Sequence, residues 1–525
     1  MTAEGRDRSA PFPYLSPAIP SLRLLRPDPE DSRFADRTWN FSPLHQALLQ
    51  AYLASDALMR KVATASALSA PRRRQLEFAA RTLTDALAPT NFLPANPTAV
   101  RVAVASHGAS LLRGARNFLD DLAHNGGRPA KLPPGSFRLG RDLAATPGQV
   151  VYRNHLMEVL QYEPQTRQVY TAPLLLLPAW VNKYYIYDLA PGRSLVEYAV
   201  RQGFTVFAVS LRDPGPDQAA HGLEDYFIDV AARALDIVED ICGTRRTHVV
   251  GLCAGGLLAG LLTAWLAAAS EQRTSSLSLL MAGLDYTDPE TGQPPGSTEL
   301  LRLADLMLGR EKLVSGRRIG LVFDLLRAND TLWKPLTRGW LQGDRPAPFD
   351  IAAWSEDSIA VARPLFRESM HLMGDNLFAR GNITLGGRRL RLSDITVDTF
   401  VVASARDHIV PWESVYLGAR SLGGKASFRL IPSGHVGAVI NPPRPNATHL
   451  RGQKRLPEDP ARWLAGAHER PESWWTAWSR WLARRSGPRT TARPCGNRHY
   501  PARERAPGVY VHGRLGTPSS RNIPP

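Results

Sequence analysis

The sequence has very little cysteine and very little lysine. Three cysteines (Cys242, Cys253 and Cys495) in 525 residues cannot build a disulfide framework. No two of them stand at CxxC spacing, so a structural zinc site is not expected either. Lysine numbers seven against 57 arginines, within a formal net charge of +16. No long basic run carries interleaved aromatics, so nucleic acid is not the expected partner. The skew toward arginine reads as coding bias and solvated basic tails. The opening residues, Met1 to Pro11, have no apolar stretch behind their charges, and no secretory signal is expected. One segment, 249–269, is uncharged over the length of a membrane span. Its Gly/Ala content and β-like start point instead to a buried strand, a turn and a buried helix. What remains is a globular composition, 43% apolar and 21% charged, which excludes collagen, coiled coil and wholesale disorder.

The length allows three to four domain equivalents, or one large α/β domain with attachments. Residues 1–30 are rich in Pro and Arg and are expected to be disordered. A helical N-terminal domain is expected over 31–145. Leu44, Ala47, Leu48, Tyr52 and Leu53 recur at spacings of three and four there, as do Ala79, Leu83 and Leu87. From 146 to 486 short apolar runs alternate with amphipathic stretches. Leu174–Leu177, Thr205–Val209, Val249–Leu252, Leu277–Met281, Thr399–Ala403 and Ser427–Ile431 read as strands. Strands alternating with helices predict a mostly parallel sheet covered on both faces. The alternation lapses at about 285–393, where a Leu- and Arg-rich insert could cap the sheet. Trp463, Trp474, Trp475, Trp478 and Trp481 read as core at helical spacing. Residues 487–525, with seven Arg against one Glu, read as a disordered basic tail in which Cys495 has no evident role.

The sharpest local feature is Gly251-Leu252-Cys253-Ala254-Gly255-Gly256, between an apolar strand and an apolar helix. It has the form of a nucleophile elbow with Cys in place of Ser. Such a turn is strained, and side chains two residues from the nucleophile would collide with neighbouring backbone. It lifts the thiol to a helix N-terminus, where the dipole favours thiolate. An elbow calls for an acid and a histidine, in that order, after later strands. Asp407 follows the strand Thr399–Ala403, and His435 follows Ser427–Ile431. His408 is the competing histidine, with Asp407 better placed as the acid. In a triad His435 takes the thiol proton and Asp407 holds its tautomer. The backbone N–H of Ala254 would be one oxyanion donor. The other would come from the loop at Trp180-Val181-Asn182, Val181 being the candidate; such a donor is worth roughly 3–4 kcal/mol. A Cys nucleophile suits transfer from a thioester, because the acyl group stays activated for a second acceptor. The fold class is therefore α/β: an α/β-hydrolase-like sheet with an inserted cap region and a helical N-terminal region.

Several stretches together resemble the poly(3-hydroxyalkanoate) synthases, the polymerases of bacterial polyester storage granules. They include Arg33-Phe34-Ala35-Asp36 with Trp39, Asp85 to Phe92, Gly140 to Ala144, Val151 to Asn154, and Val181 to Ile186. The Cys253 elbow, Pro348-Phe349-Asp350 with Trp354, Asp407 to Trp412, and Ser433 to Val436 with Asn441-Pro442-Pro443 complete the set. The likeness runs over roughly residues 30 to 482 and is closer to the single-subunit-type classes. It implies polymerisation of (R)-3-hydroxyacyl-CoA with release of CoA. It also implies Cys253 as acyl-bearing nucleophile, His435 as base, Asp407 as its acidic partner, and no metal or bound cofactor. A homodimer on the granule surface in the cytoplasm, with no transmembrane segment, would follow. Ala179 stands where the family has a second proline, and Leu211 where it has tryptophan. The residues alone also leave open a Cys-dependent hydrolase or thioesterase, and a granule-binding scaffold without catalysis.

Overall fold

A computed structural model describes residues 24–29, 31–65, 70–288, 291–453 and 455–512. Ten strands join in one sheet: β1 (Gly148–Arg153), β2 (Met157–Tyr162), β3 (Leu174–Leu177), β4 (Val206–Leu211), β5 (Thr247–Leu252), β6 (Thr274–Leu280), β7 (Thr399–Ser404), β8 (Ala426–Ile431), β9 (His449–Arg451) and β10 (His468–Arg470). Their order is β1-β2-β4-β3-β5-β6-β7-β8-β9-β10. The six central strands, β4 to β8 in that order, run parallel. Antiparallel pairs close both edges.

The apolar runs are continuous because both faces are buried. Successive side chains point to opposite sides of a strand. Leu174 and Leu176 pack with Leu195, Val200, Trp474 and Trp478 on one face. Leu175 and Leu177 pack with Phe227, Val230, Leu257 and Leu261 on the other. The uncharged segment at 249–269 is the end of β5 followed by the helix Ala254–Ala268. Among the described residues no helix is long and apolar enough to cross a membrane.

The tryptophans are core, as their spacing suggests. In the helix Trp474–Ala483, Trp474 Nε1 donates to Ala438 O at 2.7 Å and Trp475 Nε1 to Val439 O at 2.9 Å. Trp478 Nε1 donates to Ser278 Oγ at 3.0 Å. These three buried rings each find a partner for their one polar atom.

Between Leu280 and Thr399 the chain leaves the sheet and forms the helices Ser297–Leu308, Gly316–Leu326, Asp350–Glu356 and Arg363–Gly374. The helix Ala109–His124 packs against this excursion. A Cβ at Gly114 would lie 2.0 Å from the Trp340 carbonyl oxygen, so only glycine permits the approach. Phe118 meets the Trp340 ring edge-on at 5.0 Å, and Trp340 Nε1 donates to Asp121 Oδ2 at 2.7 Å. Arg128 and Lys131 each bridge Asp324 and Glu356.

The basic tail departs from the expectation of disorder up to residue 512. Arg489–Thr491 pairs antiparallel with Gln168–Tyr170. Further on, Ala506 N donates to Gly148 O at 2.8 Å and Arg503 N to Val150 O at 2.8 Å, along the outer edge of β1. Cys495 Sγ lies 3.4 Å from Gln161 O, so this thiol packs on β2. Glu158 on β2 is the anchor. Its fully buried carboxylate accepts from Arg153 at 2.6 Å, Val509 N at 3.1 Å and Tyr510 N at 3.0 Å. The segment is ordered by pairing with an open sheet edge and by a buried acid. Its sequence has no apolar periodicity, which is why its composition reads as disordered. Residues 513–525 lie outside the described residues, as does most of the 1–30 segment. Within the latter, Leu25 exchanges two hydrogen bonds of 2.8 Å with the Gln50 side chain.

Candidate active site

The elbow forms where the pattern places it. Cys253 ends β5 and precedes the helix Ala254–Ala268 with φ 53° and ψ −124°. That left-handed conformation is costly for a residue with a Cβ and persists only where the surroundings enforce it. They do so through glycine. A Cβ on Gly251 would lie 2.3 Å from Gly255 O, and one on Gly255 would lie 2.2 Å from Leu177 O. The thiol therefore stands at the C-terminal end of the sheet, at the start of a helix. The first N–H groups of that helix have no intrahelical acceptor.

Asp407 and His435 arrive from β7 and β8, the next strands but one and two from β5. Nδ1 of His435 is 2.6 Å from Oδ2 of Asp407. The carboxylate is fixed at its other oxygen, since Oδ1 accepts from Ile409 N and Val410 N, both at 2.9 Å. With Nδ1 taken, Nε2 is the ring nitrogen left for Cys253, which lines the same cavity. Burial disfavours a charged His435, but Cys253 and Asp407 outweigh it, so its pKa rises to about 10. The three residues named from sequence thus meet at one point.

The loop after β3 supplies the second wall. Leu177 and Pro178 press on Gly255, and Val181 follows, lining the same cavity as Cys253 and His435. Val181 O accepts from Ile359 N at 3.3 Å. Val181 thus reaches the cavity from the loop after β3, and Ala254 follows Cys253 directly at the start of the helix. The loop is held from behind. Lys183 Nζ donates to Asp357 Oδ1 and to Val511 O, both at 2.6 Å, and Tyr185 donates its hydroxyl to Asp357 Oδ2 at 2.9 Å. Trp354 Nε1 donates to Lys183 O at 2.8 Å. The sequence carries no local sign of this cluster, since Lys183 and Asp357 are 174 positions apart.

The cavity has a volume of about 850 Å³ and is roofed by the 281–398 excursion, with Phe323 and Trp354 among its lining. His408 also lines it. Burial, then Arg327, holds His408 below the usual histidine range, so it is a neutral ring beside the triad. Tyr187, buried, and Tyr286, half-buried, lie near Cys253 and are kept protonated, first by burial and then by Cys253, with a Leu252 backbone hydrogen bond opposing this at Tyr187. Tyr187 donates to Leu177 O at 3.0 Å, the carbonyl that Gly255 approaches, and Tyr286 donates to Gly283 O at 2.8 Å within its own loop. At the rim Lys334, Arg338 and Arg345 are exposed and enter no ion pair among the described residues.

Comparison with known proteins matches residues 30–199 to the family described as poly-beta-hydroxybutyrate polymerase (PhaC) N-terminus. Residues 172–442 match the alpha/beta hydrolase fold family. The poly(3-hydroxyalkanoate) polymerase subunit PhaC of Cupriavidus necator is 36% identical over 92% of this chain and 83% of its own length. Poly(3-hydroxyalkanoate) polymerase 2 of Ectopseudomonas oleovorans is 36% identical over 93% of this chain and 87% of its own. The poly(3-hydroxyalkanoate) polymerase of Methylorubrum extorquens is 34% identical over 93% and 82%.

Proposed function

The chain belongs to the poly(3-hydroxyalkanoate) polymerase family, and from that premise we propose that it transfers (R)-3-hydroxyacyl groups from acyl-CoA through a Cys253 thioester to a growing polyester chain. The observation that carries the reading is the position of His435, 2.6 Å from Asp407 and lining one cavity with Cys253.

The Cys253 thiol gives its proton to His435, and its sulfur adds to the thioester carbonyl carbon. The oxygen becomes an oxyanion facing the N–H groups of Ala254 and Val181. The carbon–sulfur bond to CoA then breaks, and His435 returns the proton to the departing CoA thiolate. In the second half a chain-end hydroxyl gives its proton to His435 while its oxygen attacks the Cys253 thioester, freeing the cysteine sulfur. Asp407 orients the ring throughout and offsets its positive charge. The roof limits water access, which favours transfer over hydrolysis. Lys334, Arg338 and Arg345 at the rim suit the phosphates of CoA.

The division into a helical unit at 31–145 and a catalytic unit at 146–486, with a cap at 285–393, belongs to the same proposal. So do cytoplasmic association with the polyester granule and a homodimer. What supports association is exposed apolar surface on the helices before residue 125. Leu44, Leu58, Val104, Leu112 and Leu122 are each more than half exposed.

The test is product analysis. Purified protein given 3-hydroxybutyryl-CoA is expected to release CoA and form insoluble polymer. Release of CoA with free 3-hydroxybutyrate alone would make the chain a thioesterase. No release, with granule binding retained, would make it a scaffold.

A further inference from the structure

A second crevice, also of about 850 Å³, opens beside β8 and away from the triad. Six basic side chains line it: Arg420, Lys425, Arg429, Arg451, Arg455 and Arg485. Asp398 is the one carboxylate among the lining residues, and Arg485 takes it at 2.6 Å. Arg420 reaches Glu458 only at 3.8 Å. Lys425, Arg429, Arg451 and Arg455 enter no ion pair among the described residues.

Arg429 is the anomaly. It sits in the middle of β8 and is only 7% exposed. Its NH1 group donates to its neighbour's carbonyl, Phe428 O, at 2.8 Å, and its Nε is buried without a partner. The guanidinium lies 5.1 Å from the Phe400 ring centre. Burial, then Arg451, pulls its pKa down to about 10, with Arg470 adding to the fall and Glu472 opposing it. Glu472 is engaged elsewhere, with Arg480 at 2.5 Å. Burying a cation without a counter-ion is unfavourable, and more so beside like charges. No carboxylate among the described residues pairs with it. Uncompensated charge in a crevice is a feature of binding sites.

We propose that this crevice binds a small anion carrying two or more phosphate groups, with Arg429, Arg451, Arg455 and Lys425 as its ligands. Guanidinium forks match phosphate oxygens bidentately, and a single carboxylate would leave most of the charge uncompensated. The volume suits a nucleotide or an inorganic oligophosphate. The edge of β8 contributes as well. β8 pairs with β9 only at Leu430 and Leu450, so the backbone from Ala426 to Arg429 is not laddered on that side. The site does not depend on the polymerase reading.

Titration calorimetry with inorganic triphosphate, at low and moderate salt, tests it. The wild-type protein is expected to bind at one site, more weakly at higher salt. Arg429→Met and Arg451→Gln are each expected to weaken binding by about tenfold or more. Arg116→Gln removes the same charge from an exposed site on the helix Ala109–His124 and should leave binding unchanged. Melting curves check folding, and Arg429→Met should melt no lower than wild type, because it removes a buried uncompensated charge. Triphosphate should raise the melting temperature of wild type but not of the two crevice variants. Tighter binding of ATP than of triphosphate would identify a nucleotide, and equal binding an inorganic oligophosphate. No binding at millimolar triphosphate, unchanged binding in both crevice variants, or equal weakening by Arg116→Gln would overturn the proposal. So would binding confined to a duplex oligonucleotide.

Discussion

Gly255 and Leu177 are in such close contact that a methyl group on the first would sit 2.2 Å from the carbonyl oxygen of the second. This contact presses the loop after β3 against the helix that begins at Cys253. It fixes the loop that carries Val181 relative to the start of the helix that carries Ala254. Gly255→Ala and Gly251→Ala must therefore move backbone. Each is expected to destabilise the fold by at least about 1–3 kcal/mol, the usual range for overpacking. Urea unfolding checks this, and the Gly255→Ala enzyme that does fold should lose kcat more than KM, because the loop carrying Val181 is displaced.

Asp407→Asn keeps an oxygen for the amides of Ile409 and Val410 but removes the charge that His435 needs. CoA release from 3-hydroxybutyryl-CoA is expected to fall by ~10²–10⁴-fold. The substitution also has a pH signature. The folded-state pKa of His435 is raised to about 10, from an ordinary value near 6.5. The ring's contribution to stability is therefore complete below about pH 6.5 and is lost as pH rises through about 10. The melting-temperature gap between wild type and Asp407→Asn should be widest near pH 6 and should narrow toward pH 10.

Lys334, Arg338 and Arg345 stand at the cavity rim with no carboxylate partner among the described residues. Lys334→Gln with Arg338→Gln is expected to raise KM for hydroxyacyl-CoA by about tenfold and leave kcat within about twofold. The same thioester on pantetheine, which lacks the nucleotide phosphates, should show no change. A similar rise in KM for both substrates would move CoA phosphate recognition elsewhere.

Truncation after Arg505 removes the amides of Val509 and Tyr510 from Glu158, and the carbonyl of Val511 from Lys183. Glu158 would be left buried with Arg153 alone at close range. Stripping partners from a buried charge costs roughly 3–5 kcal/mol. Chemical denaturation should show a loss of this size, and Glu158→Gln should recover part of it in the truncated chain but not in the intact one.

Much of the site can be read from the sequence because its logic is local. Each triad member sits at the end of an apolar run, and Gly251 and Gly255 announce the elbow through spacing alone. The doubly covered sheet is legible too, because burial on both faces turns alternation into unbroken runs such as Leu174–Leu177. What escaped depends on contacts between distant segments. Lys183 looks like an ordinary loop lysine until Asp357 closes on it from the roof. Residues 487–512 carry the composition of a disordered tail, and only the open edge of β1 and the buried Glu158 order them. Arg429 reads as one more arginine in a chain that has 57, and its isolation appears only when its neighbours are assembled around it.

The most direct measurement is the mass of the active-site peptide after brief exposure to 3-hydroxybutyryl-CoA and acid quenching. The account predicts one hydroxybutyryl unit, or a short run of them, in thioester linkage to Cys253, and no adduct in Cys253→Ala. Polymer formed while Cys253 carries no acyl group, or an adduct that survives in Cys253→Ala, would contradict it.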